Sequence, residues 1–263
     1  PTVESVYNLK YEDMLDLHKK EMDPRRILII AVTNFDTASL LDYLNNTLGN
    51  LSIPDTEIKS SVIPPLEALP NDTLALTHPS CGESGHVARA VLAESVTGKD
   101  YMAFLLAELI YNKIMYSVIR GKYGACYTPY VTSYGNQANV AFEMIYRCSD
   151  FQNIKKYMKE ARDIMTSGKV ITGTKSDGSF IFSDIESELE GYKNNLINTT
   201  YSSQTTTSGL AGRIATGLVL YNNPLALDSR SEKIKEVTAE DIQRVFKKYF
   251  VDGPEFWISV ASE

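Results

Sequence analysis

Lys99-Asp100-Tyr101 opens, and Ile119-Arg120-Gly121-Lys122-Tyr123-Gly124-Ala125-Cys126-Tyr127 closes, the stretch on which the reading of this chain turns. Between them Phe104, Leu105, Leu109, Met115 and Ile119 mark the core stripe of a long helix, with Asp100 placed to cap its start. Gly121 and Gly124 are expected to stop that helix, leaving Arg120 and Lys122 at the carbonyl end, where cations complement the helix dipole. Two β-rich runs follow, Ala125 to Ser133 and Val140 to Arg147, and Tyr134-Gly135-Asn136-Gln137 between them predicts an antiparallel hairpin.

Upstream, Thr73 to Thr77 and Val87 to Ala93 read as strands, and Pro54, Pro64, Pro65 and Pro70 mark a linker before them. Earlier still, Tyr11 to Met22 has helical spacing and is ended by Asp23-Pro24, because the residue before proline is pushed out of the α region. Ile27 to Val32 is a continuous apolar run expected as a buried strand, and Asp36 or Thr37 caps a second helix through Leu44 toward Gly49. Downstream, the spacing predicts helices over Phe151 to Ser167, Ser183 to Thr199, Thr206 to Tyr221 and Ala239 to Phe250, then a closing strand from Phe256 to Ala261. The two ends echo one another. Glu12-Asp13-Met14, His18-Lys19-Lys20 and Ile27 to Val32 return as Glu240-Asp241-Ile242, Phe246-Lys247-Lys248 and Phe256 to Ala261, a domain-sized period that suggests tandem domains rather than a solenoid.

Hydrophobic residues make up 43% and charged residues 22% of the 263, the balance of a chain that folds around a sizeable core. Lys and Arg number 26 against 33 Asp and Glu, a formal charge of -7, and the basic residues gather in no tract. A nucleic-acid groove needs a positive stripe to displace counterions, so a polynucleotide partner is disfavoured. The longest apolar stretches fall short of the ~20 residues that span a bilayer, which predicts no membrane span. Cys81, Cys126 and Cys148 form no C-x-x-C pair, and their odd number argues against a disulfide scaffold without fixing a compartment. The start, Pro1-Thr2-Val3-Glu4-Ser5, shows no basic segment followed by an apolar one and is read as a cut inside a longer polypeptide.

Taken in order, these segments resemble the pitrilysin/insulinase family of zinc metallopeptidases, the inverzincins. Glu12 to Leu48 is similar to the end of one family domain. Val87-Ala88-Arg89-Ala90, the long helix and its Arg-Gly-Tyr turn are similar to the start of the next, and Glu186 to Lys193 with Ile234 to Ile242 to the helices that close it. The resemblance covers nearly the whole chain. It implies an α+β fold, a mostly antiparallel sheet with helices packed on one face, as in other metallopeptidase domains of this type. It also divides the chain into a helix-strand-helix tail of a preceding repeat (1–55), a Pro-rich linker (56–72) and a substrate-holding, non-catalytic domain (73–263).

Inverzincins carry H-x-x-E-H on a helix, two His binding zinc and the Glu activating water. The histidines here are His18, His78 and His86, and none lies in such a motif. Glu83-Ser84-Gly85-His86 comes nearest, but it lacks the first ligand and sits in a Gly-rich loop. No metal site and no catalytic residue is therefore expected in this chain alone. Zinc is expected in a partner catalytic domain of the same family, on the same parent polypeptide or on a separate subunit. His18 is expected on the surface of its helix, and His78 and His86 in loops at strand ends.

Arg120 and Tyr127 stand across a helix end, a glycine turn and the next strand, a placement that can present a guanidinium and a phenol to one cleft. By themselves they read as a helix-end Arg satisfying carbonyls and a Tyr filling a strand face. The resemblance implies that they bind the peptide substrate, reaching across a chamber to its backbone and helping to stabilise the oxyanion of a tetrahedral intermediate. Extended peptide would bind by strand addition. Tyr123 and Tyr130 are alternative phenols, so spacing decides for Tyr127. Lys122 is expected as a solvated charge and Cys126 as a buried thiol, with no His near it in sequence to activate it. The 16 Tyr residues would suit a peptide-binding wall or ordinary core and rim positions equally. The expected function is the substrate-binding, chamber-closing half of a zinc metalloendopeptidase. The alternative is a non-catalytic structural or assembly subunit of the same family, and a third reading is a stand-alone peptide-binding module.

Overall fold

Short polar side chains set the first helices in register. The computed structural model of the chain describes residues 2–55, 57, 66, 68–134 and 139–262. Thr2 caps α1 (Val3–Tyr7) and Asp36 caps α3 (Thr37–Thr47), each accepting a backbone N–H with its side chain. Between them α2 (Tyr11–Glu21) ends ahead of Asp23-Pro24, as the proline requires. The expected strand from Ile27 to Val32 does not form: the segment is irregular, and Leu28 and Ile29 are 53% and 46% exposed. A strand needs neighbours for its N–H and C=O groups, and neither sheet among the described residues includes this run. Pro54 and Pro70 lie in irregular chain, while Pro64 and Pro65, with most of the expected linker, fall outside the described residues.

From residue 72 the chain builds a sheet and the helices that cover it. The elements are β1 (Asp72–Thr77), β2 (Gly85–Leu92), α4 (Tyr101–Met115), β3 (Tyr130–Tyr134), β4 (Val140–Cys148) and α5 (Ile154–Thr166). Next come a small hairpin of β5 (Lys169–Thr174) and β6 (Phe180–Asp184), then α6 (Ile185–Ser202), α7 (Thr207–Tyr221), α8 (Arg230–Glu236), α9 (Ala239–Phe246) and β7 (Glu255–Ala261). The main sheet runs β1-β7-β2-β4-β3, with β1 parallel to β7 and every other neighbour antiparallel. The fold is thus α+β, a mostly antiparallel sheet with its helices on one side.

Strand register decides which face those helices cover. Val87, Arg89 and Val91 on β2, Glu143 and Ile145 on β4 and Trp257 on β7 share one face by pairing. Over it lies a core of Phe104, Leu106, Ile110 and Ile114 from α4, Met158 from α5, and Phe246 and Phe250 from the last helix. Leu74, Leu76, Tyr134 and Tyr146 point to the opposite face and remain 43–58% exposed. Polar groups cross the covered interface. Arg89 reaches Glu143 at 2.6 Å, Glu255 at 2.5 Å and the Phe250 carbonyl at 2.7 Å, while Tyr111 and Arg162 donate to Glu143 at 3.0 and 3.1 Å. These bonds tie three strands to α4, α5 and the π turns Lys247–Val251 that continue α9.

Several local expectations need correction. Gly121 does not stop the first long helix: α4 widens into π turns over Tyr116–Lys122, and the helix ends at Gly124, whose φ of +60° suits glycine. Asp100 occupies the cap position without capping. Its carboxylate is taken instead by Arg244 at 2.8 and 2.9 Å. Residues 125–129 are not strand, because Pro129 has no N–H to give a ladder and pairing begins at Tyr130. Joined with its π turns, α4 makes one helix of 22 residues, Tyr101–Lys122, long and apolar enough to cross a membrane, yet 56% of its apolar window is buried inside the molecule. Its composition is explained by the core it fills.

Candidate functional site

The π turns and the glycine that ends them place Arg120 and Tyr127 side by side. Widening the helix shifts the bonding register, so Tyr123 donates to the Val118 carbonyl and Gly124 to that of Arg120, before the chain turns back. The Arg120 guanidinium donates through Nη1 to the Tyr127 carbonyl at 2.8 Å and lies 3.8 Å from the centre of the Tyr127 ring. Tyr116, one turn earlier, flanks the same cation at 5.8 Å. Contacts of this kind hold a charged donor at the surface in a preferred direction. Tyr127 is 77% exposed, and its hydroxyl makes no hydrogen bond among the described residues.

The alternative phenols are committed elsewhere. Tyr123 stacks on Tyr157 at 3.6 Å, and its hydroxyl donates to Glu160 at 2.6 Å. Lys122 is not merely solvated, since its ammonium binds the other Glu160 oxygen at 2.7 Å. The Tyr130 hydroxyl meets that of Tyr146 at 3.4 Å, and this hydrogen bond, helped by desolvation, pushes Tyr130 up to about 12. Cys126 is buried and donates its thiol to the Tyr146 carbonyl at 3.0 Å. Tyr116 was missed in the sequence, although its i,i+4 spacing to Arg120 is a signal for contact on one helix face.

The edge of the sheet beside this pair is partly closed. Val131 on β3 donates its amide to Asn112 of α4 at 2.8 Å, so that N–H is not free for an added strand. The histidines are scattered: His18 is exposed on α2, His78 accepts from the Ser80 amide, and His86 lies within β2 rather than in a loop. His86 accepts from the Arg147 amide and meets the Tyr146 ring edge-on at 5.7 Å. Among the described residues no group of three or more His, Cys, Asp or Glu is placed to hold a metal ion. The site therefore offers a cation, a phenol and neighbouring aromatic surface: donors for a backbone carbonyl or a developing negative charge.

Comparison with known proteins bears on the same region. Residues 8–167 match the family described as the peptidase M16 inactive domain. No curated protein matches the chain. Among solved structures, a protease from Helicobacter pylori superposes with a TM-score of 0.79 at 15% identity over 99% of this chain and 61% of its own. A peptidase M16 inactive domain from Pseudomonas fluorescens gives 0.65 at 15% identity, covering 87% of this chain and 52% of that one. The ferredoxin protease FusC, in complex with Arabidopsis ferredoxin, gives 0.68 at 13% identity, covering all of this chain and 28% of that one. The chain thus spans about three-fifths of the first of these structures or less of the others, and at such identities the likeness is one of fold.

Proposed function

Because the chain belongs to the peptidase M16 inactive-domain family, we propose that it is the substrate-holding, chamber-closing half of a zinc metallopeptidase whose metal-bearing domain lies outside these residues. The observation that carries this reading is the Arg120–Tyr127 pair: a guanidinium fixed against a ring at 3.8 Å beside an exposed, unengaged phenol. Arg120 would hold the peptide carbonyl through its remaining N–H groups. Tyr127 would donate its hydroxyl to the oxygen on which charge develops. Such donors, fixed in advance, stabilise the transition state more than the bound substrate. The metal, supplied by the partner domain, would activate water there.

The division at 56–72 belongs to the same proposal. Within residues 2–55 only Asp23 is buried, so α2 and α3 present apolar side chains that suit a preceding domain. Strand addition at the β3 edge finds less support, given the Val131 amide already held by Asn112. The peptide is therefore assigned to the Arg120–Tyr127 surface itself.

Steady-state kinetics of the parent enzyme, with the zinc-bearing domain present, test the reading. Arg120→Ala and Tyr127→Phe should each lower kcat more than they raise KM, by about 10²–10³ for a lost oxyanion donor. Tyr123→Phe should be nearly silent, since its hydroxyl faces Glu160. Wild-type kcat/KM in both site variants would sink the catalytic role and favour a structural or assembly subunit.

A further inference from the structure

Far from that pair, the connection 223–229, with Tyr221 at the end of α7, Met102 of α4 and the start of α8, lines a half-open pocket of about 380 Å³. Two cations line it, Arg230 and Lys233, and no carboxylate does. They stand at i,i+3 on α8 and so share one face of that helix. Neither is compensated among the described residues. The Arg230 guanidinium makes no hydrogen bond or ion pair there, and its Nε is buried without a partner. Lys233, exposed at the same pocket, likewise makes no hydrogen bond or ion pair among the described residues, although Glu236 and Asp241 line the adjoining pocket that it shares. The other arginine with an orphaned Nε, Arg213 on α7, is paired with Asp228.

Among the other lining residues, which include apolar Met102, Leu225 and Leu227, Asn223 and Ser229 add donors. Asn223 spends its side-chain oxygen on the Leu225 amide at 3.0 Å, which leaves its NH₂ free to turn inward. Ser229 adds a hydroxyl, and Tyr221, whose own proton goes to the Val96 carbonyl at 2.6 Å, closes the roof. A buried guanidinium N–H without an acceptor is costly, and the fork of Arg matches the paired oxygens of a carboxylate or phosphate. We infer that this cavity binds an oxyanion, a carboxylate or phosphate group held by Arg230 and Lys233 with Asn223 and Ser229. The site contains neither Arg120 nor Tyr127, so it stands or falls apart from the peptide-holding role.

The test follows the Arg Nε–H signals of the 263-residue chain by NMR during titration with inorganic phosphate, acetylglycine or acetylglycinamide, against chloride at matched ionic strength. The Arg230 Nε–H resonance should shift saturably with phosphate, with acetylglycine or with both, and not with the amide. Phosphate alone would identify a free phosphate or phosphoryl ligand, and acetylglycine alone a carboxylate such as a peptide carboxy terminus. Lys233→Met, a change at an exposed position, should weaken the response on the order of tenfold, as for one lost charge-assisted hydrogen bond. No saturable shift with either oxyanion, or undiminished affinity in Lys233→Met, would overturn the assignment.

Discussion

Glu143 shows how much a single side chain carries in this fold. It is fully buried, yet it accepts from Arg89, Tyr111 and Arg162, so one carboxylate joins β2, α4 and α5. Burial pushes Tyr111 well above its ordinary phenol value, with the adjacent Glu143 charge adding to it, so the phenol stays a donor. Removing one partner of a buried ion pair leaves the other charge unpaired, which typically costs about 3–5 kcal/mol. Glu143→Ala should therefore lose that much in urea unfolding. The exposed pair Lys159–Asp163 on α5 is the contrast, with its two side chains 66% and 62% exposed. Lys159→Ala should cost no more than about 0.5 kcal/mol. Equal losses for the two variants would show that the Arg89–Glu143 network adds nothing beyond a surface contact. Sequence alone could not reveal this network, because Arg89, Glu143 and Glu255 meet only through strand pairing.

At the level of elements, what was legible depended on whether the signal was local. Helices α2, α3, α4, α5, α7 and α9 and strands β1, β2, β4 and β7 follow from apolar spacing, caps and prolines. The β5–β6 hairpin was not expected, since Lys169 to Asp184 is short, polar at its turn and read as the run between two helices. The candidate site divides in the same way. Arg120 and Tyr127 were legible from spacing, whereas Tyr116 and the π turns depend on a change in bonding register that spacing does not show. Asp100 is the instructive failure: read as a cap, it is an ion-pair partner of Arg244, itself on α9. Hydrogen bonds from Arg244 hold both Asp100 and Asp241 below the usual carboxylate range. Depressed folded values mean a contribution to stability that is present above the unfolded carboxylate pKa and lost as pH falls through the folded ones. Urea stability measured from neutral to acid pH should thus fall less steeply in Arg244→Met than in the unaltered chain. Parallel acid limbs would show that the tie between α4 and α9 has no energetic weight.

Across the whole molecule, the two copies of the repeat have met different fates, and that contrast gives the sharpest test of how the chain is organised. In the second copy Ile242 and Val245 are fully buried on α9, and the following strand β7 sits between β1 and β2. Their counterparts by the repeat, Met14 and Leu17 on α2, are 58% and 52% exposed, and Ile27 to Val32 pairs with no strand among the described residues. Burying such a side chain contributes about 1.5–3 kcal/mol, so a sequence that repeats the buried pattern is suited to a second sheet. On the proposed division at 56–72, that sheet would belong to a preceding domain, with Ile27 to Val32 as one of its strands. Hydrogen exchange distinguishes the cases, because local protection reports how firmly each segment is held. In the 263-residue chain, amides of residues 12–32 should exchange fast while those of Leu106 and Ile110, in the core of α4, exchange slowly. In the parent polypeptide the core should be unchanged and residues 12–32 should gain protection, most of all 27–32 as their backbone enters a ladder. If residues 12–32 are already protected in the shorter chain, or stay unprotected in the longer one, the tail is not the end of a preceding domain and the boundary at 56–72 is misplaced.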